Sequence, residues 1–394
     1  MTPARGRRRA LARGLVSGTT GLVSLAATAA PWYVEPTVTL YTTYQSNPQY
    51  YVTKPRSGTG ELATLDLPFD WSDERSSLVV HPTANAGLAQ GATGIGQHNR
   101  TLDSLGTWGY DRGKLRASAT LSHLDLSGTT NFDLGIVRPI GYENVETTGV
   151  GTTWTPTALT TIDLDGVRSR NSFHIDTPTN FVDYTYSQLN GQWTYATSER
   201  TQAIVSARYA DYQPAAGTLG SIDHSLQVGG SHAFTEALRL TATVGRSRVK
   251  LISTGDFIYG DVYLATLAYN RPTTTLIASA RQSRQPGAVG DLAQTTEFSV
   301  NYTVQRSERL SYTLSGAYSR LEDTFSVFAL QRRNYYSVDF ETHYMLTSQW
   351  RFNAHVNKGR SQLPGDITHP VALSATSAGG SVGISRVFGR TRLN

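Results

Sequence analysis

Thr235-Glu236-Ala237-Leu238-Arg239-Leu240-Thr241-Ala242-Thr243-Val244 decides how this chain is read. A short polar turn leads into a segment whose side chains alternate in character. Leu238, Leu240, Ala242 and Val244 fall on one face, and Arg239, Thr241 and Thr243 on the other. Successive side chains of a β-strand point to opposite faces, so this period of two describes a strand with one oily side and one polar side. The same grammar recurs. Phe298, Val300, Tyr302 and Val304 oppose Glu297, Ser299, Asn301 and Thr303. Tyr336, Val338, Phe340 and Tyr344 oppose Ser337, Asp339, Glu341 and His343, and Trp350, Phe352, Ala354 and Val356 oppose Arg351, Asn353, His355 and Asn357.

Equivalent turns stand at Ser72-Asp73-Glu74-Arg75, Asp111-Arg112-Gly113, Pro156-Thr157-Ala158, Thr197-Ser198-Glu199-Arg200, Arg271-Pro272-Thr273, Arg306-Ser307-Glu308-Arg309 and Thr347-Ser348-Gln349. They recur every 35 to 45 residues or so, the length of one hairpin plus one longer loop. Alternation alone suits a soluble sandwich as well as a barrel in lipid. Hairpin length, uniform repetition and an export leader favour an all-β, transmembrane, antiparallel up-and-down β-barrel. About 18 strands are expected, with 16 as the alternative. They include segments near 34–44, 60–70, 160–170, 201–211, 273–283, 350–358 and 378–388. An open edge in hydrocarbon would leave backbone groups unpaired at several kcal/mol each, so the sheet must close. A barrel this wide holds water unless loops fold into it.

The leader is residues 1–29. Arg5, Arg7, Arg8, Arg9 and Arg13 form a basic start, Leu15 to Leu25 a modest apolar stretch, and Ala27-Thr28-Ala29 a small-x-small cleavage pattern. A twin-arginine route fits poorly, because a barrel crosses the inner membrane unfolded. Residues 30–394 are then one barrel domain. The formal charge of +5 resides in the leader: without its five arginines, 30 bases face 30 acids. Nucleic acid is therefore not an expected partner. The 394 residues contain no cysteine, which excludes thiolate chemistry and disulfides. Mean hydropathy is −0.31, and no apolar run is long enough for a membrane helix. The 21 tyrosines suit a membrane–water boundary, as do the tryptophans.

Val34-Glu35-Pro36-Thr37-Val38-Thr39-Leu40-Tyr41-Thr42-Thr43-Tyr44-Gln45-Ser46-Asn47 resembles the first strand of Gram-negative outer-membrane barrels found with exopolysaccharide and capsule loci, the β-barrel porin-2 group. There a proline-led strand ends in a Tyr-x-x-Asn tip, which Tyr44 and Asn47 match. The resemblance implies an outer-membrane location and a tie to surface polysaccharide. It carries no catalytic or binding residues with it. Phe388 stands where such barrels place a terminal aromatic, but Gly389-Arg390-Thr391-Arg392-Leu393-Asn394 follows, which departs from the usual ending.

On the barrel reading the polar faces line a lumen. Arg116, Arg208, Arg239, Arg281 and Arg351 then point inward, with Asp163, Asp165, Asp339, Glu341, His343 and His355. Rings of charge in a pore select among ions and solutes, and arginine grips carboxylate and sugar oxygens in fixed geometry. Solvating and salt-bridging the wall is the plainer role that competes at each position. A zinc-like set of His343, His355 and Glu341 is conceivable, but polar pairing explains the same residues more simply. Gly91-Ala92-Thr93-Gly94-Ile95-Gly96 lacks the Lys-Ser/Thr of a phosphate loop. The expectation is a passive porin-like conduit with no enzymatic activity, catalytic residue, metal or cofactor. Its expected partners are outer-membrane lipid, the barrel assembly machinery, and small hydrophilic solutes or polysaccharide. The alternatives are a structural or assembly component of an exopolysaccharide system, and a barrel hydrolase using His343 and His355.

Overall fold

The computed structural model describes residues 30–47, 57–91, 98–125, 141–175, 181–215, 220–286, 292–322, 333–363 and 373–393. The leader, and 92–97 of the glycine-rich run, lie outside them. In chain order the strands are β1 (Trp32–Val34), β2 (Thr37–Gln45), β3 (Gly58–Asp66), β4 (Phe69–Ser72), β5 (Ser76–Gly91), β6 (Arg100–Tyr110), β7 (Gly113–Asp125), β8 (Gly141–Thr157), β9 (Thr160–Ile175), β10 (Tyr184–Ala196), β11 (Thr201–Pro214), β12 (Ser221–Ala233), β13 (Leu238–Leu251), β14 (Phe257–Arg271), β15 (Thr274–Pro286), β16 (Leu292–Ser307), β17 (Leu310–Glu322), β18 (Arg333–Met345), β19 (Trp350–Leu363), β20 (Leu373–Val387) and β21 (Thr391–Leu393).

Each strand pairs antiparallel with its neighbours, and β20 returns to β2, with Thr37 opposite Val387 and Gln45 opposite Gly379. That pairing closes the sheet. Three short segments continue longer strands rather than adding to the wall. The breaks fall at Glu35-Pro36, Leu67-Pro68 and Phe388-Gly389-Arg390. Proline has no N–H for the ladder, and glycine relaxes the backbone, so a kink at these points is cheap. Counted this way, the wall has 18 antiparallel strands, and the 16-strand alternative falls.

Below the breaks the chain builds a small second tier. β1 pairs with β4 on one side and with β21 on the other. Trp32 and Trp71 lie with ring centroids 6.5 Å apart, and Trp71 Nε1 donates to the carbonyl of Ala30 at 3.1 Å. The residues after Phe388 therefore clasp the start of the barrel, and they account for the departure at the C-terminus.

The outward face settles which solvent the barrel was built for. Leu88, Val244 and Leu40 are 75%, 62% and 56% exposed, and aliphatic residues such as Val150, Leu189 and Val338 form a continuous band around the wall. Toward the short turns the band gives way to Trp108, Trp154, Trp193, Tyr302 and Tyr344, and toward the long loops to Tyr44, Tyr209, Tyr259, Phe298 and Tyr336. Aromatic girdles around an apolar band are the signature of a barrel spanning a bilayer, and no soluble domain leaves so much apolar surface in water.

Several strands run further toward the long loops than alternation predicts. β9 continues to Ile175, β11 to Pro214 and β19 to Leu363, and β20 already begins at Leu373. Outside the apolar band the outward face of a strand need not be apolar, so the period of two fades while the ladder persists. The connection between β13 and β14, residues 252–256, is a tight turn. Gly255 there has φ +78, and its N–H donates to the carbonyl of Leu251 at 2.9 Å. That left-handed conformation favours glycine.

Candidate functional site: a narrowed bore

Strand register assigns each candidate side chain to a face, because directly opposed residues share one. Arg116 pairs in register with Gly151, which in turn faces Asp165. Arg281 faces Glu297, His343 faces Asn353, and Glu341 faces His355. Every one of these positions lies opposite the apolar band, as do Arg208, Arg239, Arg351, Asp163 and Asp339. The polar faces do line the bore.

Inside, the groups pair mostly with near neighbours. Arg116 reaches Asp165 at 2.9 Å, and Arg281 Nε donates to Glu297 at 3.1 Å. Nε2 of His343 lies 3.2 Å from Glu341, and its Nδ1 lies 2.7 Å from the Asn353 side-chain oxygen. His355 lies 3.3 Å from Asp339. Both nitrogens of His343 are thus engaged by wall residues. Among the described residues no group of three or more His, Asp or Glu side chains is arranged to hold a metal ion.

The feature that alternation does not reveal is the hairpin tip of β15 and β16. β14 pairs with β15 only from Tyr263 to Arg271, opposite Gln282 to Thr274. Beyond Gln282, β15 leaves the wall while still paired with β16 as far as Pro286 and Leu292. The freed end of the hairpin, a tip described here by residues 283–286 and 292–295, is tucked inside the barrel. Its nominally outward face packs against the inner wall of β11 to β14, where Leu292 joins Ala210, Tyr212 and Val249 in one cluster. These four are fully buried although they sit within a bore. Arg284, 3% exposed, reaches over the inner face of β14 near Gly260. Asp223, buried on the same wall, attracts the Arg284 guanidinium and accepts a hydrogen bond from Ser247 Oγ at 2.7 Å. A buried charge is tolerable when it is paired and hydrogen-bonded in this way.

Arg208 is where the tip meets the open bore. One guanidinium NH2 group donates to the backbone carbonyl of Arg284 at 2.8 Å and to the Tyr186 hydroxyl. Tyr186 in turn donates to Gln188 at 2.8 Å. The Arg208 Nε is buried with no hydrogen-bond partner among the described residues. Beside it lies a cavity of about 550 Å³, bounded by the tip and by Asn190, Gln192, Gln227 and Arg281. A second cavity of about 400 Å³ shares Arg208 and Gln192 and reaches Arg116, Asp163 and Asp165. The two adjoin as one chamber, with Arg208, Arg281 and Arg284 around the tip and Arg116, Asp163 and Asp165 below. Of these groups, Arg208 and Arg281 are legible from alternation. Asp223 and Arg284 are not, because their importance depends on the tuck. Arg284, by its parity, belongs to the lipid side.

Closed wall, apolar belt and charged, narrowed bore together define an outer-membrane β-barrel of the porin architecture. No known protein family matches the chain, and no curated protein matches it. Among solved structures it resembles a BenF-like porin from Pseudomonas fluorescens Pf-5, with 10% identity over 92% of this chain and 99% of that one, at a TM-score of 0.52. It also resembles Pseudomonas aeruginosa OccK2 (OpdF), solved in complex with glucuronate, with 9% identity over 91% of this chain and 98% of that one, at a TM-score of 0.51. At these identities the likeness speaks for the fold.

Proposed function

We propose that the protein is a passive conduit for small hydrophilic solutes, narrowed by the β15–β16 tip and sorted by charge at Arg208. The observation that carries this reading is the chamber beside that tip, lined by Arg208 and Arg281. A narrow polar passage discriminates by size and by the sign of its fixed charges. Arginine's planar fork suits a carboxylate, so small sugar acids are the solutes to try first. Glucuronate, bound by the structurally similar OccK2, is a convenient probe. The test is a planar-bilayer recording on purified protein, followed by liposome swelling with glucuronate and with glucose. Steady single-channel steps and faster swelling in glucuronate support the conduit.

The second reading is a structural or assembly component of a surface-polysaccharide system with little pore activity of its own. It draws on the resemblance of the opening strand, and on how much of the bore the tip fills. Electrical silence of folded, detergent-purified protein favours it. A hydrolase role requires His343 or His355 to act on substrate. Their engagement with Asn353, Glu341 and Asp339 supports wall pairing instead, and loss of an esterase or protease activity in a His343→Ala, His355→Ala variant would revive it.

A further inference from the structure

We infer that the outward face of β12 to β14, at the long-loop end, seats a lipid whose headgroup carries phosphate. On the lipid side β13 reads Leu238, Leu240, Ala242, Val244, and then Arg246, Arg248 and Lys250. The register confirms a shared face: Val244 is opposite Tyr263, Arg246 opposite Asp261, Arg248 opposite Tyr259, and Lys250 opposite Phe257. All three bases are exposed, while Ser247 and Val249 between them are buried on the inner side under the tucked tip. The bases cannot turn inward, because that side is filled.

Their height matters. A strand rises about 3.3 Å per residue and tilts by about 40° in such a barrel, so from Leu238 the apolar band of about 25 Å ends near Arg248. Arg246 is then just inside the band, and Lys250 just beyond it. This is the layer in which lipid headgroup phosphates lie. A cation at that depth is poorly hydrated and needs an anion.

The protein supplies few. Asp261 faces Arg246 at 3.6 Å, with both side chains largely exposed. Asp211, on the same outward face of β11, is contacted by Gln213. Arg248 lies over the Phe257 ring, 5.0 Å from its centroid, and neither it nor Lys250 has a carboxylate within ion-pair distance among the described residues. His224, opposite Arg248 in register, adds a further nitrogen base and packs edge-on to Tyr209 at 5.2 Å. Directly below, Leu226, Val228 and Val244 offer a smooth exposed aliphatic seat. Chains on that seat and phosphate on the bases are the two halves of one amphiphile. Free phosphate would use only one half.

Arg168 and Arg170 on β9 make a fair control. They also face outward near the long loops, but they are two bases rather than three, with Glu146 opposite Arg170 in register.

The experiment is native mass spectrometry of the full chain released from neutral detergent after incubation with bis-phosphorylated lipid A, its dephosphorylated form, or inorganic phosphate alone. The triple variant Arg246→Gln, Arg248→Gln, Lys250→Gln is expected to hold at least about tenfold less of the bis-phosphorylated lipid than the parent, and the pair Arg168→Gln, Arg170→Gln to hold as much. The parent is expected to lose the dephosphorylated lipid to a similar degree and to bind no inorganic phosphate. Equal retention by the triple variant, equal retention of the dephosphorylated lipid, or saturation by inorganic phosphate overturns the assignment. Should the triple variant fail to fold, the comparison of the two lipids on the parent protein decides alone. Channel conductance is a separate readout, so failure here leaves the conduit reading intact.

Discussion

The two walls of the bore are built on the same alternating text and end in different states. On the β17–β20 side, polar side chains meet water. His343 and His355 retain side-chain exposures of 41% and 33%, and each pairs with a carboxylate on a nearby strand position. On the β11–β14 side, Tyr212 and Val249 are fully buried, and Asp223 nearly so, because a hairpin tip lies over them. One wall is a lining and the other is a core. A β-barrel can therefore carry a local hydrophobic core inside its bore wherever a hairpin leaves the sheet. That core narrows the bore on one side, which the strand count alone does not convey.

The largest effect should come from dismantling the core. Arg284→Ala with Leu292→Ala removes both anchors of the tip, and single-channel conductance should rise on the order of twofold as the bore widens. Unchanged conductance would erase the distinction between the walls. Arg208→Gln keeps the volume and drops the charge. The reversal potential in a salt gradient should then move toward cation preference, and glucuronate-driven swelling should slow more than that with glucose. The mirror substitution, Arg351→Gln on the open wall, should shift it less.

Packing gives a smaller test of the same contrast. A side chain at Gly245 would place its Cβ 1.8 Å from the Leu226 carbonyl oxygen. Gly245→Val should cost about 1–3 kcal/mol through overpacking, read as a lower temperature for the heat-dependent gel shift. His343→Ala, on the wall where polar groups stay wet, should cost less than about 1 kcal/mol and leave conductance alone, because a half-exposed pair contributes little.

The smallest effect belongs to neither wall. In the β4–β5 turn, Asp73 accepts hydrogen bonds from the backbone N–H of Arg75 at 2.8 Å and of Ser76 at 2.6 Å. These bonds hold its carboxyl below the usual aspartate range. The folded value lies below the unfolded one, so the turn's contribution is complete above the unfolded value and is lost as pH falls through the folded one. Acid titration of the gel-shift temperature should flatten slightly in Asp73→Asn.

How much of this was legible follows from where periodicity carries information. Within the apolar belt each residue must choose lipid or water, so Leu238 to Val244 declare their faces, and with them Arg208, Arg239 and Arg281. All eight turns fall where polar punctuation puts them, because a hairpin end at the bilayer surface has no reason to be anything but short and wet. Beyond the belt the choice lapses. The upper ends of β9 and β11 carry polar residues outward, Arg170, Ser172 and His174 on one and Asp211 and Gln213 on the other, so no apolar face marks them as strand. The tuck of β15 and β16 is invisible for a deeper reason. It exchanges lipid for protein at Leu292 and Arg284 without changing their parity, and only the loss of pairing above Gln282 records it. The three strand breaks were punctuated by Pro36, Pro68 and Gly389, but a kink and an end look alike until the partners are known.

The clasp between Thr391–Leu393 and Trp32–Val34 has a consequence for biogenesis. β21 lies against β1 with Trp32 opposite Leu393, so the lower tier exists only once the two sides of the seam have met. Until then β2 and β20 present raw edges to hydrocarbon. Each backbone group left unpaired along those edges costs several kcal/mol, so the clasp and the closed seam stabilise one another.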